Sequence, residues 1–319
     1  KGEFGIIKNE LENIVREYKE ILQIHGFYVD KEKSNVFFDF ANDIKKINNN
    51  VSVFENKIKY NNIIIYFNYL NGKDSKNILE RHRTSLRRGY KTIDVFEDEY
   101  TQHHDIVLSK LKHIMGLDDK TVLKIDARKC IIKKINTDIA KDFLNINHIQ
   151  GFAASTIYYG CYFQDKLISV MSFLKESDDM WNLTRFATLI GTLCRGVGGK
   201  IFKMFIKENN PKCVKSFADK RWTSSKDNNL YTALGFKYDN SGSNSEYRYY
   251  KDGETKERMH KFGFRKKTLN KKYGFPLSMT EKEMTEKLGY DRIWDCGLFK
   301  YVWTRPEENE IKTETVIID

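Results

Sequence analysis

Proline is scarce, at three in 319 residues, and cysteine nearly so, at five. The cysteines, at 130, 161, 194, 213 and 296, form no C-x-x-C pair and have no histidine at ligand spacing, so neither a zinc site nor a disulfide framework is legible and a reducing cytosol is the expected compartment. Long apolar runs are missing too. None approaches the ~20 residues that cross a bilayer, and the opening Lys1-Gly2-Glu3-Phe4 has no apolar signal-peptide core, so a cytoplasmic protein without a membrane partner is expected. Acidic residues are in deficit, 44 against 55 Lys and Arg, and the resulting net charge of +11 favours polyanionic partners. What is plentiful is aromatic material: 21 Phe and 18 Tyr in a chain 40% hydrophobic supply packed cores and exclude a disordered polyampholyte. The length is about twice the ~150-residue prior for one domain, so two or three domains are expected.

The basic residues are clustered. Lys256, Arg258, Lys261, Arg265, Lys266, Lys267, Lys271 and Lys272 are interleaved with Phe262, Phe264 and Tyr273, a composition that tracks phosphates and offers stacking rings. Arg81, Arg83, Arg87, Arg88 and Lys91 form a second group, on or just beyond a helix expected over 74–88. The alternative for either group is a solvated helix face. Hydrophobic periodicity predicts an amphipathic helix over 6–24, strands at 51–54 and 63–68, and a third strand at 90–96 before the acidic run Glu97-Asp98-Glu99. Strand, strand, helix, strand is a compact α/β core of nuclease size.

From about 122 a longer α/β module is expected. It has a strand over 122–134, a helix over 138–147, a hairpin around Gln164-Asp165-Lys166, and a strand over 181–188. The Gly-rich turn Arg195-Gly196-Val197-Gly198-Gly199-Lys200 then opens a helix, followed by a strand at 214–218, a helix at 228–234, and a pair of strands from Phe236 to about Tyr250. Thr280 and Glu283 suggest a capping box, and 298–303 a last strand. The turn, the strand after it and Leu230-Tyr231-Thr232-Ala233-Leu234-Gly235-Phe236 resemble the GNAT superfamily of N-acyltransferases. That resemblance implies acetyl-CoA or another acyl-CoA as cofactor, its pyrophosphate on the amides of Arg195, Gly196, Gly198, Gly199 and Lys200, and Tyr231 as the acid that protonates the departing thiolate. Lys200 stands where the family has a small residue. Asp219 and Arg221, with Arg185 and Trp222, fall at or near strand ends, where α/β sites assemble, and His148 and Gln150 follow a helix; these join Tyr231 as catalytic candidates. A structural ion pair is the competing reading for Asp219 and Arg221.

A second resemblance extends over most of the chain. Ile93 to Tyr100, Ala127 to Cys130, His148 to Gly151, Ala218 to Trp222 and Gly289 to Gly297 are similar to segments of Hef-type phage homing endonucleases. These have a nuclease core related to very-short-patch-repair enzymes. That resemblance implies duplex DNA as partner, a phage-infected bacterial host, and Mg²⁺ held by paired acids if the nuclease site is active. The acid positions are occupied by Ser52 and Tyr66, the histidine position falls near Ile78, and Arg81 takes a lysine position. Asp39, Glu55 or the acidic run, Glu97 and Asp98 in particular, are the remaining metal-ligand candidates.

The expectation is therefore an α/β (α+β) protein: a degenerate nuclease-like domain over 1–118, a GNAT-like mixed sheet with helices on both faces over 119–252, and a basic DNA-binding-like module with an acidic tail over 253–319. Three functions follow from it: a DNA-binding protein built like a homing endonuclease with a decayed cleavage site, an acyl-CoA-dependent N-acyltransferase, or a non-catalytic scaffold.

Overall fold

The computed structural model describes residues 31–306 apart from 71–74, 118–121, 224 and 243–244. The helix expected over 6–24 and the acidic tail lie outside the described residues. The class is mixed α+β. The first unit runs α1 (Lys31–Ile47), β1 (Ser52–Phe54), β2 (Lys57–Tyr60), β3 (Ile63–Asn68), α2 (Ile78–Arg87), β4 (Lys91–Phe96), α3 (Glu97–Gln102) and α4 (His104–Ile114). Its sheet has the order β1-β2-β3-β4, antiparallel except for the parallel pair β3/β4 joined through α2. Phe37, Phe40, Ala41 and Ile44, spaced three and four apart, bury one face of α1 against Phe67, Tyr100 and Val107. Strand β2 escapes the sequence reading because Lys57 and Lys59 alternate with Ile58, the pattern of a half-exposed strand.

The central unit follows with β5 (Leu123–Asp126), β6 (Ile131–Ile135), α5 (Thr137–Asn147), β7 (Ile157–Phe163), β8 (Lys166–Lys175), β9 (Met180–Thr188), β10 (Thr192–Arg195), α6 (Val197–Asn209), β11 (Cys213–Asp219), α7 (Leu230–Ala233) and β12 (Lys237–Asp239). The single strand expected over 122–134 is two, in different sheets. The Asp126 side chain accepts the Arg128 N–H at 2.8 Å and turns Ala127–Lys129 into a 3₁₀ break between them. The β7/β8 hairpin turns at Gln164 and Asp165, both at positive φ, as a tight twisted hairpin requires.

The chain then builds β13 (Tyr247–Tyr250), β14 (Met259–His260), α8 (Lys266–Tyr273), α9 (Glu281–Lys287) and β15 (Asp291–Trp294), and ends in β16 (Leu298–Thr304). Strand β16 enters the central sheet, whose order is β12-β16-β11-β9-β8-β7-β6. The strands expected as a pair over 236–250 are thus partners of different sheets: β12 joins β16, while β13 joins β14 and β15. Residues between β12 and β16 form an inserted module with its own core of Tyr249, Phe264, Leu269 and Met284. At α9 the Thr280 hydroxyl accepts the Glu283 N–H while the Glu283 carboxylate accepts the Thr280 N–H. Helices α5 and α6 cover opposite faces of the seven-stranded sheet, α5 through Ala140, Phe143 and Leu144, α6 through Ile201, Phe202 and Phe205. No described helix is long and apolar enough to cross a membrane.

Candidate functional site

All pairs in the central sheet are antiparallel except β9 and β11. These run parallel and pair from Met180↔Cys213 to Leu183↔Ser216, then stop, although β9 continues to Thr188 and β11 to Asp219. Two cavities lie at the resulting split. The larger, about 830 Å³, is lined by Phe186 to Cys194 of the β9–β10 segment, by Gly196, Val197, Gly198 and Gly199, by Leu230 and Leu234, and by Lys110 and His113 of α4. The smaller, about 630 Å³, is lined by Thr184 to Phe186, by Phe217 to Asp219, and by residues of the inserted module. Lys110, His148, Trp222 and Leu230 belong to both walls, so the two are halves of one cleft. Each is of the size small ligands occupy.

On the larger side, α6 begins at Gly196, whose φ of 77° is the left-handed conformation that glycine adopts without strain. The N–H groups of Val197, Gly198 and Gly199 have no intrahelical acceptor, and the first helical bond is Lys200 N–H to Gly196 O at 3.0 Å. A Cβ on Gly198 would meet Leu230 Cδ1 at 3.1 Å, so the turn is kept slim where it adjoins the cavity. Arg195 and Lys200 stand apart from this wall. Arg195 is exposed at the end of β10, and the Lys200 ammonium points back to the Ala127 and Cys130 carbonyls at 2.9 and 2.6 Å, where it closes the 3₁₀ turn instead of facing a phosphate.

On the smaller side the structure brings together Tyr231, Asp219, Arg221, His148 and Gln150. The Tyr231 hydroxyl donates to Phe217 O at 3.3 Å, and its ring stacks on Tyr301 with centroids 5.0 Å apart. Burial raises the Tyr231 phenol above its ordinary value, so it stays protonated at neutral pH. His148 Nδ1 accepts the Gln150 N–H at 3.1 Å; burial, reinforced by the charges of Arg185 and Lys110, pushes this imidazole down to about 3, which leaves it neutral with its proton on Nε2. Asp219 is held by Arg221 through Nε and Nη2 at 3.1 and 2.6 Å. Asp295 was not anticipated from the sequence: burial and the nearby Asp219 raise its carboxyl above the ordinary value. Trp222 Nε1–H is buried without an acceptor among the described residues. Lys110, under burial that lowers its ammonium, lies 5.0 Å from the Trp222 ring.

Arg221 also reaches away from the cleft. Its Nη1 and Nη2 clamp Glu99 at 2.9 and 2.7 Å, while Arg258 clamps Asp98 through Nε at 3.0 and 2.8 Å and touches Glu99 at 3.0 Å. Both guanidiniums pack on Phe96, 5.0 and 3.7 Å from its centroid. Asp98 is therefore committed to an arginine, and Glu97 accepts the Leu70 N–H at 3.3 Å. Beside them Asp94 receives Arg81 at 2.7 Å, His82 at 2.6 Å and Asn68 at 3.1 Å, with Cys296 Sγ at 4.0 Å. His82, Asp94 and Cys296 are the one grouping of metal-ligand type among the described residues, and Asp94 already has hydrogen bonds on both oxygens. Burial works to raise the Asp94 carboxyl, yet His82 and Arg81 hold it below the ordinary carboxylate value. Ser52 is exposed on β1, and Tyr66 bonds Ser85 at 2.8 Å. Of the basic clusters, Arg81 and Arg258 are thus turned inward and Lys261 is paired with Glu246. Arg83, Arg87, Arg88, Lys256, Arg265, Lys267, Lys271 and Lys272 are exposed, with Lys266 partly so.

No family model matches the chain, and no curated protein matches it. Solved structures to which it is similar include a GNAT family acetyltransferase from Elizabethkingia anophelis with acetyl-CoA bound, at 13% identity, 56% of this chain, 99% of that chain and a TM-score of 0.34. An IAA acetyltransferase from Bacillus cereus is similar at 13% identity, 55% and 99% coverage and a TM-score of 0.34. The ribosomal-protein-S18-alanine N-acetyltransferase from Escherichia coli is similar at 11% identity, 56% and 97% coverage and a TM-score of 0.34. These solved structures are acetyltransferases and lend no support to the homing-endonuclease resemblance. The reading of the cleft rests on its own geometry.

Proposed function

We propose that the chain is an acyl-CoA-dependent N-acyltransferase. The observation that carries this is the split between β9 and β11, which opens directly over the free amides of the α6 N-terminus and has the Tyr231 side chain on its wall. The residues present fit such a cofactor: helix-start donors without an intrahelical acceptor suit an anion, Gly198 leaves room beside them, and the buried Trp222 N–H, without an acceptor among the described residues, lies on the wall common to both halves of the cleft. Acyl-CoA supplies an activated acyl group, and transfer forms an amide N–C bond as the thioester C–S bond breaks. The amine proton passes to a base on the smaller side, for which Asp295, its carboxyl raised by burial, is the candidate, and the thiolate takes its proton from Tyr231. Calorimetry with acetyl-CoA tests the reading. Micromolar binding abolished by Gly198→Trp supports it, and no heat at millimolar ligand overturns it. Tyr231→Phe is expected to lower kcat by about 10²–10⁴ with little change in cofactor affinity.

A second reading, duplex DNA binding, is favoured by one observation: the exposed cations of the inserted module lie beside aromatic rings, with Arg265 stacked 3.8 Å from the Phe262 centroid and both side chains exposed. Replacing Arg265, Lys266 and Lys267 with Ala is expected to weaken binding to all sequences alike and to flatten its salt dependence. Each lost phosphate contact removes about 0.9 from the slope of log K against log salt. An affinity unchanged by the triple substitution removes this reading. Mg²⁺-dependent cleavage has no support in the site, since Asp94, Asp98 and Glu99 are engaged by cationic side chains.

A further inference from the structure

The inserted module contributes to the smaller cavity's wall a residue that no ion pair among the described residues explains. Arg248, on β13, lines that wall together with Arg185 of β9. Among the described residues Arg248 has no side-chain hydrogen bond and no carboxylate within 4 Å. Arg185 bonds only neutral groups, Gly151 O through Nε at 2.9 Å and Thr184 O through Nη1 at 2.8 Å. The carboxylates on the same wall are otherwise engaged: Asp219 by Arg221, Glu246 by Lys261, and Asp295 by the Gly297 and Glu246 N–H groups at 2.8 and 3.2 Å. His148 is neutral, and burial with the neighbouring arginine and lysine charges lowers His260 as well. Two guanidiniums that line one cavity with no carboxylate bonded to either among the described residues are costly to bury, and an incoming oxyanion relieves that cost. The strain is visible in their acidities. Burial and then Arg248 bring Arg185 down to about 10, and burial followed by Arg258 and Arg221 lowers Arg248 in spite of the opposing charges of Glu99 and Asp219.

We propose that Arg185 and Arg248 form an oxyanion subsite that holds the carboxylate or phosphate of the acceptor amine. The inference rests on the acyltransferase reading for the reaction, but the subsite is a property of these two side chains. It assigns the inserted module a role in acceptor choice, because β13 lies outside the central sheet that forms the split. The acceptor class is a small amine bearing a negative group, with its nitrogen directed toward the β9/β11 split where Tyr231 and Asp295 stand.

The full chain is titrated in a calorimeter with acetyl-CoA, then with phosphoethanolamine, β-alanine and ethanolamine, each in the wild type, Arg248→Gln and Arg248→Lys. The expected result is that one or both anionic amines bind at least about tenfold tighter than ethanolamine, which separates phosphate from carboxylate as the preferred group. Arg248→Gln removes that preference, Arg248→Lys restores part of it, and acetyl-CoA affinity stays within about twofold in both. Equal binding of charged and neutral amines, an Arg248→Gln protein that keeps the preference, or a loss of acetyl-CoA affinity in step with acceptor affinity overturns the subsite. Failure of acetyl-CoA alone to bind overturns the acyltransferase reading and leaves the anion preference to be read independently. Unfolding midpoints of the two variants identify any loss caused by misfolding.

Discussion

Around Phe96, Asp98 and Glu99 are each clamped by an arginine, whereas Arg185 and Arg248 line the smaller cavity with no carboxylate bonded to either among the described residues. Both groups are buried or half-buried, and both are rich in arginine. The difference is satisfaction. In the first, charges and hydrogen bonds close on one another and join the N-terminal unit to β11 and the inserted module. In the second, two arginines line a cavity without a bonded carboxylate among the described residues. A closed buried network is a joint, since removing any member strands the others. An open one is what the proposed oxyanion subsite rests on. Arg221 belongs to both, with Glu99 on one side and Asp219 on the other, so the joint also fixes the position of a residue on the cleft wall.

The largest expected effect comes from breaking the joint. Arg258→Ala leaves Asp98 buried without its cation and Arg221→Ala strips Glu99 of its two-pronged partner, leaving it only the Arg258 contact; a loss of about 3–5 kcal/mol in urea unfolding is expected for the first and a smaller one for the second. Arg248→Gln, which removes a charge that has no ion-pair partner among the described residues, is expected to cost far less or to stabilise. Equal losses at the two places would erase the distinction between joint and binding surface.

Acid titration is the next test. Burial works to raise the Glu99 carboxyl, but Arg221 and Arg258 outweigh it and hold it down to about 2, against 4.5 in a free side chain. A carboxylate whose folded value is depressed contributes stability that is fully present above 4.5 and is lost as pH falls from 4.5 through about 2, because the unfolded chain binds the proton first. The unfolding midpoint should therefore decline across that window, and Glu99→Gln should be less stable at neutral pH with a shallower decline below 4.5. A profile unchanged by Glu99→Gln would show that another group governs the acid limb.

These two regions were not equally legible in the sequence. The cleft carries local signals: three glycines in four residues at a helix start, and Tyr231 just before a tight turn into β12. The first turn of a helix needs no distant partner to reveal itself. The joint has only non-local signals, since Asp98 and Arg258 are 160 residues apart and Arg221 and Glu99 are 122 apart. Read locally, Glu97-Asp98-Glu99 is an acidic run open to a metal, and Arg258 is one cation of a basic stretch. Only the fold shows that they neutralise each other. Arg248 was missed for the same reason. Its neighbours Tyr247, Tyr249 and Tyr250 mark a strand, but nothing in a strand pattern says that one arginine turns toward a cavity shared with β9.

Lys200 gives a smaller effect that sharpens the boundary of the cleft. Its ammonium bonds the Ala127 and Cys130 carbonyls at 2.9 and 2.6 Å. Lys200→Met keeps the stem and removes the donor, and is expected to cost about 1–3 kcal/mol in unfolding while acetyl-CoA affinity stays within about threefold. A large drop in affinity without a drop in stability would place the ammonium on a phosphate instead.

The smallest expected change in stability is at Arg87, the exposed counterpart of the buried arginines. Its partner Glu80 lies on the same helix, and both side chains are about two-thirds exposed. Water screens such a pair, and holding two long side chains in one geometry costs entropy, so Arg87→Ala should shift unfolding by no more than about 0.5 kcal/mol. If α2 contributes to a DNA surface, the same substitution should still lower duplex affinity at low salt and reduce the magnitude of the salt slope by about 0.9. Ion pairing alone therefore does not mark a structural arginine; burial with a partner does. A stability loss at Arg87 comparable to that at Arg221 would contradict the contrast, and a salt slope indifferent to Arg87→Ala would exclude this face of α2 from nucleic-acid contact.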